Sequence, residues 1–414
     1  MTPEPVTSYV LRRNLAIVLA AAVGYLIVTD WITDLWAACA AFTMVFAAAA
    51  IIAVRGLYGK FELWNSWLLI PLGAAAAWGG GQLAAGVPQY RFETWWQMLT
   101  WGAALALFWS CLQAFSPARV SAGVRLSLVL FGSLLSLEAV LQLFAGDARI
   151  YGLVSLGDVL PMGPFQNRDH YCALIELILP LALWTGIRNR RLAWAYYTAA
   201  GIMYASVIAS ASRAGGVIAT VEVLVLVALG IRRKRSGETA YGVRLVIAIG
   251  VVVAIAGFVV GWSPLLDRFQ LDDVYRRKFL ESTLHMIRER PWFGFGLGSW
   301  PWVYPRYALI DAQAFVNHAH NDWAEWAADG GIPFAALLGT VAARTFWLAG
   351  ELPWGIGAVA VFAHALVDFP FARPPVLLAV VLLVALMEVE HIRAAHGYRP
   401  EVLGMKERLA HLNS

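Results

Sequence analysis

VNHAHNDWAEWAADGGIPF, residues 316–334, sets two histidines, two asparagines and three acids directly against the start of an apolar run. Polar side chains of this density beside a hydrophobic segment make sense where a helix enters a membrane from water, and the rest of the chain supports that reading. Of 414 residues, 60% are hydrophobic and 14% charged, and apolar runs of about twenty residues recur from end to end. These features exclude an ordinary soluble domain. Spans are expected near 15–29, 36–53, 63–79, 97–116, 124–145, 171–187, 192–210, 215–231, 243–262, 322–342, 353–369 and 375–391, about twelve helices of an all-α polytopic membrane protein. The first run follows Arg12 and Arg13 but has no small-residue cleavage site after it, so it reads as a retained helix. Cys39, Cys111 and Cys172 fall in or beside apolar runs and suggest neither a disulfide framework nor a zinc site.

Short loops with Arg55 and Lys60, Arg119 and Arg125, RNRR (188–191) and RRKR (232–235) lie on one side. The positive-inside rule makes these loops, and both termini, cytoplasmic. The opposite loops carry single arginines, Arg91, Arg149, Arg168, Arg213 and Arg373, and face outward. The net charge of +4 is therefore mostly topological, and EVLGMKERLAH near the C-terminus reads as an amphipathic tail on membrane lipid, not a nucleic-acid patch. The expected organisation is nine spans over 1–262, an outer loop over 263–321, three spans over 322–391, and a cytoplasmic tail over 392–414.

The outer loop is the one extramembrane segment large enough to shape a site. Val274 to Arg290 has helical spacing, with Val274, Phe279, Leu280, Leu284 and Ile287 apolar and Arg276, Arg277, Lys278, Arg288 and Arg290 around them. A basic amphipathic helix ended by Pro291 is expected, followed by FGFGLGSW as a glycine-rich turn. No strand precedes those glycines and no GK[ST] follows, so neither a dinucleotide fold nor a Walker loop fits.

His320 then lies at a helix N-terminus on the outer side, with Asn317, Asn321 and Asp322 as candidate caps. Three readings fit the cluster. One is capping beside interfacial Trp323 and Trp326. Another is a general base beside an aqueous pocket. The third is a metal site of His318 and His320 with Asp322 or Glu325, which an HxH spacing disfavours because a helix turns the two rings to different faces. Outward arginines in GPFQNRDHY (Arg168), SASRAGG (Arg213) and the loop (Arg288) suit an anionic, phosphate-bearing ligand. In AHALVDFPFARPP, Asp368 pairs with Arg373, orients a histidine or binds sugar hydroxyls. Glu138, Glu176 and Glu222 fall inside apolar spans, where an ionisable group is either functional or paired within the bundle.

With these residues in place, the chain resembles the O-antigen ligase and polymerase superfamily of lipid-linked glycan transferases. The ligase signature is His, then Asn, Ser or Gln, nine residues, and a GxxG turn. His320, Asn321 and Gly331-Ile332-Pro333-Phe334 match all but its last glycine. GPFQNRDHYCALIELILPLAL, SASRAGG, GFGLGSW and HALVDFPF also look like family blocks in family order, over roughly residues 160–390.

The resemblance implies a GT-C-like fold with an active site at the periplasmic face of the bacterial inner membrane. It implies His320 as the activator of the acceptor hydroxyl, Arg213 and Arg288 on the pyrophosphate of an undecaprenyl-linked glycan donor, with Arg276, Arg277 and Arg290 competing with Arg288 for the loop position, and Asp368 as a further family acid. His318, Asn321 and Arg168 are added from their settings. The acceptor would be lipid A-core, or a growing glycan or a protein in related enzymes. A pyrophosphate leaving group needs no carboxylic acid to protonate it, and neither metal nor cofactor is expected. A lipid or glycan transporter would explain the intramembrane glutamates but predicts repeated halves, which the sequence lacks.

Overall fold

A computed structural model describes residues 6–59, 63–145, 149–155, 161–189, 191–233 and 271–396. The expected span at 243–262 and the tail beyond 396 lie outside them. The described residues form fourteen α-helices and one small hairpin, Arg149–Ile150 paired antiparallel with Val154–Ser155. In chain order the helices are α1 (Val6–Val28), α2 (Leu35–Leu57), α3 (Leu69–Ala84), α4 (Arg91–Ala114), α5 (Ala118–Ala145), α6 (Arg168–Arg188), α7 (Ala193–Ala209) and α8 (Arg213–Arg233). From residue 271 onward come α9 (Leu271–Glu289), α10 (Trp300–Val303), α11 (Asp322–Gly330), α12 (Ile332–Glu351), α13 (Ile356–His364) and α14 (Pro374–Ala395).

Seven of them, α1, α2, α5, α6, α8, α12 and α14, are long and apolar enough to cross a membrane. The expectation of about twelve spans is thus met only in part among the described residues, for identifiable reasons. Helices α3 and α7, with 16 and 17 residues, fall just short, and α4 is long but diluted by Gln, Thr and Trp. The span expected at 322–342 breaks at Gly331 into α11 and α12, and that expected at 353–369 shrinks to the nine-residue α13 followed by a turn. At the centre run α6 and α14, buried along most of their length. Helix α6 packs on α7, α8 and α13, and α14 on α4 and α1. Leu134, Leu141, Val217 and Leu224 on α5 and α8 point outward, as lipid contact requires.

The expected amphipathic helix exists as α9, but its inward face differs. Phe279, Ser282, Thr283 and Met286 are buried, while Val274 and Leu284 are exposed. Buried hydroxyls shift the face because Thr283 Oγ1 accepts the indole N–H of Trp300 at 3.0 Å, a tertiary partner that hydrophobic periodicity ignores.

The break at Gly331 is clasped by the FGFGLG turn. A helix that stops leaves its last carbonyls without partners, and burial makes that costly. Here Phe295 N–H donates to Ala328 O at 3.0 Å and Gly296 N–H to Asp329 O at 2.9 Å. Gly298 N–H reaches the Asp329 carboxylate at 2.8 Å, and Ile332 N–H, at the start of α12, donates to Pro291 O at 2.7 Å. Such interlocking needs backbones in contact. A Cβ on Gly331, at φ +82°, would stand 2.3 Å from Trp292 O. Phe334, where a second glycine was expected, is wholly buried and lies against Gly330, whose own Cβ would meet it at 2.5 Å.

Gly331→Ala is therefore expected to cost at least about 1–3 kcal/mol, from the left-handed backbone before any clash. Gly81→Ala on α3, where a Cβ meets nothing within 4 Å, serves as the control. Thermal unfolding in detergent should show a clear drop in apparent Tm for the first and none for the second.

Candidate functional site

Helix α11 begins with a cap that is also a joint. Asn321 Oδ1 accepts the Ala324 N–H at 2.9 Å, satisfying a free helix donor, while its amide nitrogen donates to Leu366 O at 2.8 Å. The N–H of Asp322 donates to Ala365 O and to Asp368 O at 2.9 and 3.2 Å. The helix start is thus stitched to the turn after α13. Just before the cap, His320 has φ +52°, a left-handed conformation that a non-glycine residue holds only under constraint from its surroundings.

That conformation brings His320 Nδ1 to 3.0 Å from Asp368 Oδ1. An ionised carboxylate only accepts, so Nδ1 carries the proton and Nε2 keeps a lone pair. The His320 side chain is 28% exposed, whereas Asp368 is 1% exposed. Burial opposes ionisation of Asp368, but the His320 hydrogen bond and the nearby imidazoles of His170 and His364 hold its carboxyl below the usual carboxylate range. His318 turns elsewhere: its Nδ1 lies 2.9 Å from Glu325 Oε1, and Glu325 Oε2 accepts the Ala319 N–H at 2.8 Å. The two histidines of the HxH pair are oriented by different carboxylates.

Phe369 organises the rings. His318 stacks on it with centroids 4.3 Å apart, and His320 and His170 meet it edge-on at 4.9 and 4.7 Å. On the other side, Phe279 of α9 lies parallel to His320 at 6.2 Å. One turn earlier on α9, Arg276 donates to Val367 O at 2.8 Å and stands 3.7 Å from the Asp169 carboxylate.

Of the residues singled out in the sequence, His318, His320, Asn321 and Asp368 converge. Arg168 opens α6 at the end that carries Asp169 and His170, with Asn167 as its cap. Arg213 opens α8, whose Gly215 is packed so tightly on Cys172 of α6 that a Cβ would meet it at 2.6 Å, so Arg213 shares that end of the bundle. Arg288 does not join the cluster: it is exposed, twelve residues beyond Arg276, about 18 Å along the helix. Arg290 lies over the Phe295 ring. Asp368 is not paired with Arg373, which binds Asp30 at 2.7 Å. Glu176 is paired within the bundle, to His364 at 3.0 Å. Arg276 is one of the arginines competing with Arg288 for the loop position, whereas His170 and Phe369 are not singled out from the sequence. His170 is two residues from Arg168 in a block already singled out, a titratable ring at a helix start.

Residues 198–339 match the family model described as O-antigen ligase. The chain carries an O-antigen ligase family segment. The match supports the O-antigen ligase superfamily, and the matched segment contains Arg213, Arg276, His318 and His320 of the site, as well as the more distant Arg288. Asp368, Phe369 and His170, which complete the geometry around His320, lie outside the matched residues. No curated protein matches the chain.

Because the folded Asp368 has a depressed pKa, its ionised form stabilises the fold at pH above its ordinary value of 3.8, and that contribution is lost as pH falls further. Asp368→Asn should therefore melt below the wild type at neutral pH. The gap should stay constant down to about pH 4 and close only in stronger acid, which melting curves across pH would show.

Proposed function

We propose that this chain is an O-antigen ligase-type glycosyltransferase. It moves a glycan from undecaprenyl pyrophosphate to lipid A-core at the periplasmic face of the bacterial inner membrane, with inversion and without a metal. The observation that carries this reading is the His320 imidazole, partly open to solvent, with its Nδ1 proton committed to a buried carboxylate and Nε2 left with its lone pair. The arginine-poor face expected outside the membrane then carries Arg168, Arg213 and Arg276 around it.

The reaction follows from these parts. Nε2 of His320 takes the proton of the acceptor hydroxyl, and the oxygen forms a bond to the anomeric carbon from the face opposite the pyrophosphate. The bond from that carbon to the phosphate oxygen breaks, and the electron pair leaves on the pyrophosphate. Asp368 stabilises the imidazolium that forms, as a carboxylate does for a catalytic histidine in acyl transfer. Arg213 and Arg276 meet the charge growing on the leaving phosphate with forked donors. Arg276 takes the place that the resemblance gave to Arg288, since it is the arginine of α9 that the fold sets beside the His320 and Asp368 pair.

A repeat-unit polymerase of the same superfamily is the second reading. Phe334 favours it, standing where the ligase signature has a glycine. The two differ in acceptor alone. Reconstitution with a lipid-linked glycan and a choice of acceptors, followed by product mass analysis, decides between them; no product with any acceptor would overturn both.

His320→Ala is expected to abolish transfer while the protein still inserts, and near-normal turnover would remove His320 as the base. EDTA should leave transfer intact, and inhibition reversed by added magnesium or zinc would contradict a metal-free mechanism. Arg213→Ala and Arg276→Ala should each weaken binding of undecaprenyl pyrophosphate by roughly ten- to a hundred-fold, the worth of one charged hydrogen bond, with Lys rescuing only partly. Arg288→Ala should change it far less; an equal loss would return the pyrophosphate role to Arg288.

A further inference from the structure

Asp368 has two oxygens, and only one is used by His320. Oδ2 is buried without a hydrogen-bond partner, and so is Nε2 of His170, 4.0 Å away. A bare donor and a bare carboxylate oxygen, both removed from water, are costly unless they meet. Four ångströms exceeds a direct hydrogen bond and is too short to seat a water between them, so a small rotation of the ring is what closes the gap. The ring is poised for it. His170 sits in the first turn of α6, 5% exposed and held edge-on by Phe369, the residue next to Asp368.

We propose that His170 is a positioning residue of the site: its Nε2–H donates to Asp368 Oδ2, so that one buried carboxylate is held between two imidazoles and its basicity toward His320 is set by the second. This rests on His320 acting as the base. An imidazole donating to Oδ2 draws charge from the carboxylate. Asp368 then orients His320 without binding the shared proton so tightly that Nε2 stays protonated at neutral pH.

Other charged and titratable groups face this pair from every side and stay in place in the test. They are Asp169 and Glu176 on α6, Arg276 on α9, His318 and Asp322 around the cap of α11, His364 at the end of α13, and Arg373 before α14. None of them reaches Oδ2 with a hydrogen bond.

The test reads His320 without needing substrate. Full-length protein in lipid nanodiscs is treated with diethyl pyrocarbonate across pH, and the carbethoxylation of His320 is followed by fragment mass spectrometry. The reagent attacks only neutral imidazole, so the midpoint reports the protonation of His320. His170→Phe keeps the ring on Phe369 but deletes the donor, and the midpoint should rise by about one pH unit, a tenfold change in the neutral fraction. His170→Gln keeps an N–H and should stay close to wild type; His170→Leu stands in if the Phe variant fails to insert, with the same rise expected. An unmoved midpoint in the inserted Phe or Leu variant, or an equal rise in the Gln variant, would overturn the proposal and leave His170 with packing alone. Transfer by His320→Ala is measured in parallel: if that variant works normally the base assignment fails, whatever the midpoint does.

Discussion

A carboxylate removed from water has to be compensated, and in this protein that requirement falls on Asp368. Its charge is held by His320 on one oxygen, with His170 waiting at the other, in a turn between a short apolar helix and Pro370. Much of the surrounding structure is arranged so that this group has partners. Asn321 and Asp322 tie the start of α11 to the turn, and Asp322 also accepts the Phe371 N–H at 2.9 Å. His364, at the end of α13, is anchored by Glu176 on the central α6, so the turn is fixed at its root as well. Each of these bonds joins two separate elements. Together they fix where His320 can be, down to its left-handed backbone.

The same logic explains why the segment from α9 to α10 is built against α11. Breaking a helix at Gly330 and Gly331 exposes carbonyls that lipid cannot satisfy. The glycine-rich turn supplies the missing donors, and Gln82 on α3 bridges it, donating to Phe293 O and Asp329 O and accepting the Leu297 N–H at 3.0 Å. The broken helix gives a short α11 that presents His318 and His320 at its start. A continuous span would have had no reason to pack its start against α9. Arg276 and Phe279 come to the histidines as a consequence of that packing.

Much of this was legible in the sequence. The recurrent apolar runs announced a helical membrane protein, Asn321 announced a cap, Pro291 ended α9 where expected, and the density of polar groups at 316–334 pointed to His320. The pairing of Asp368 with a histidine was one of three open readings. What stayed hidden were facts of three-dimensional closure. Periodicity reads one helix at a time, so it placed Val274 and Leu284 inward and could not see Thr283 satisfied by Trp300. It read 322–342 as one apolar span because the signal for the break, two adjacent glycines, gains meaning only from the turn that clasps it. The choice among Arg276, Arg277 and Arg288 on α9 and Arg290 just past its end depends on which face meets residues almost a hundred positions away, and no local pattern encodes that.

The central claim is that His320 and Asp368 act as one unit. Groups that act as a unit lose their effect together, so the cycle of His320→Ala, Asp368→Asn and the double variant tests it most directly. Residual transfer from a lipid-pyrophosphate-linked glycan would be measured under saturating donor for all three. The double variant is expected to be no slower than His320→Ala alone, because Asp368 has nothing left to orient. Losses that multiply independently would contradict it and separate Asp368 from the chemistry.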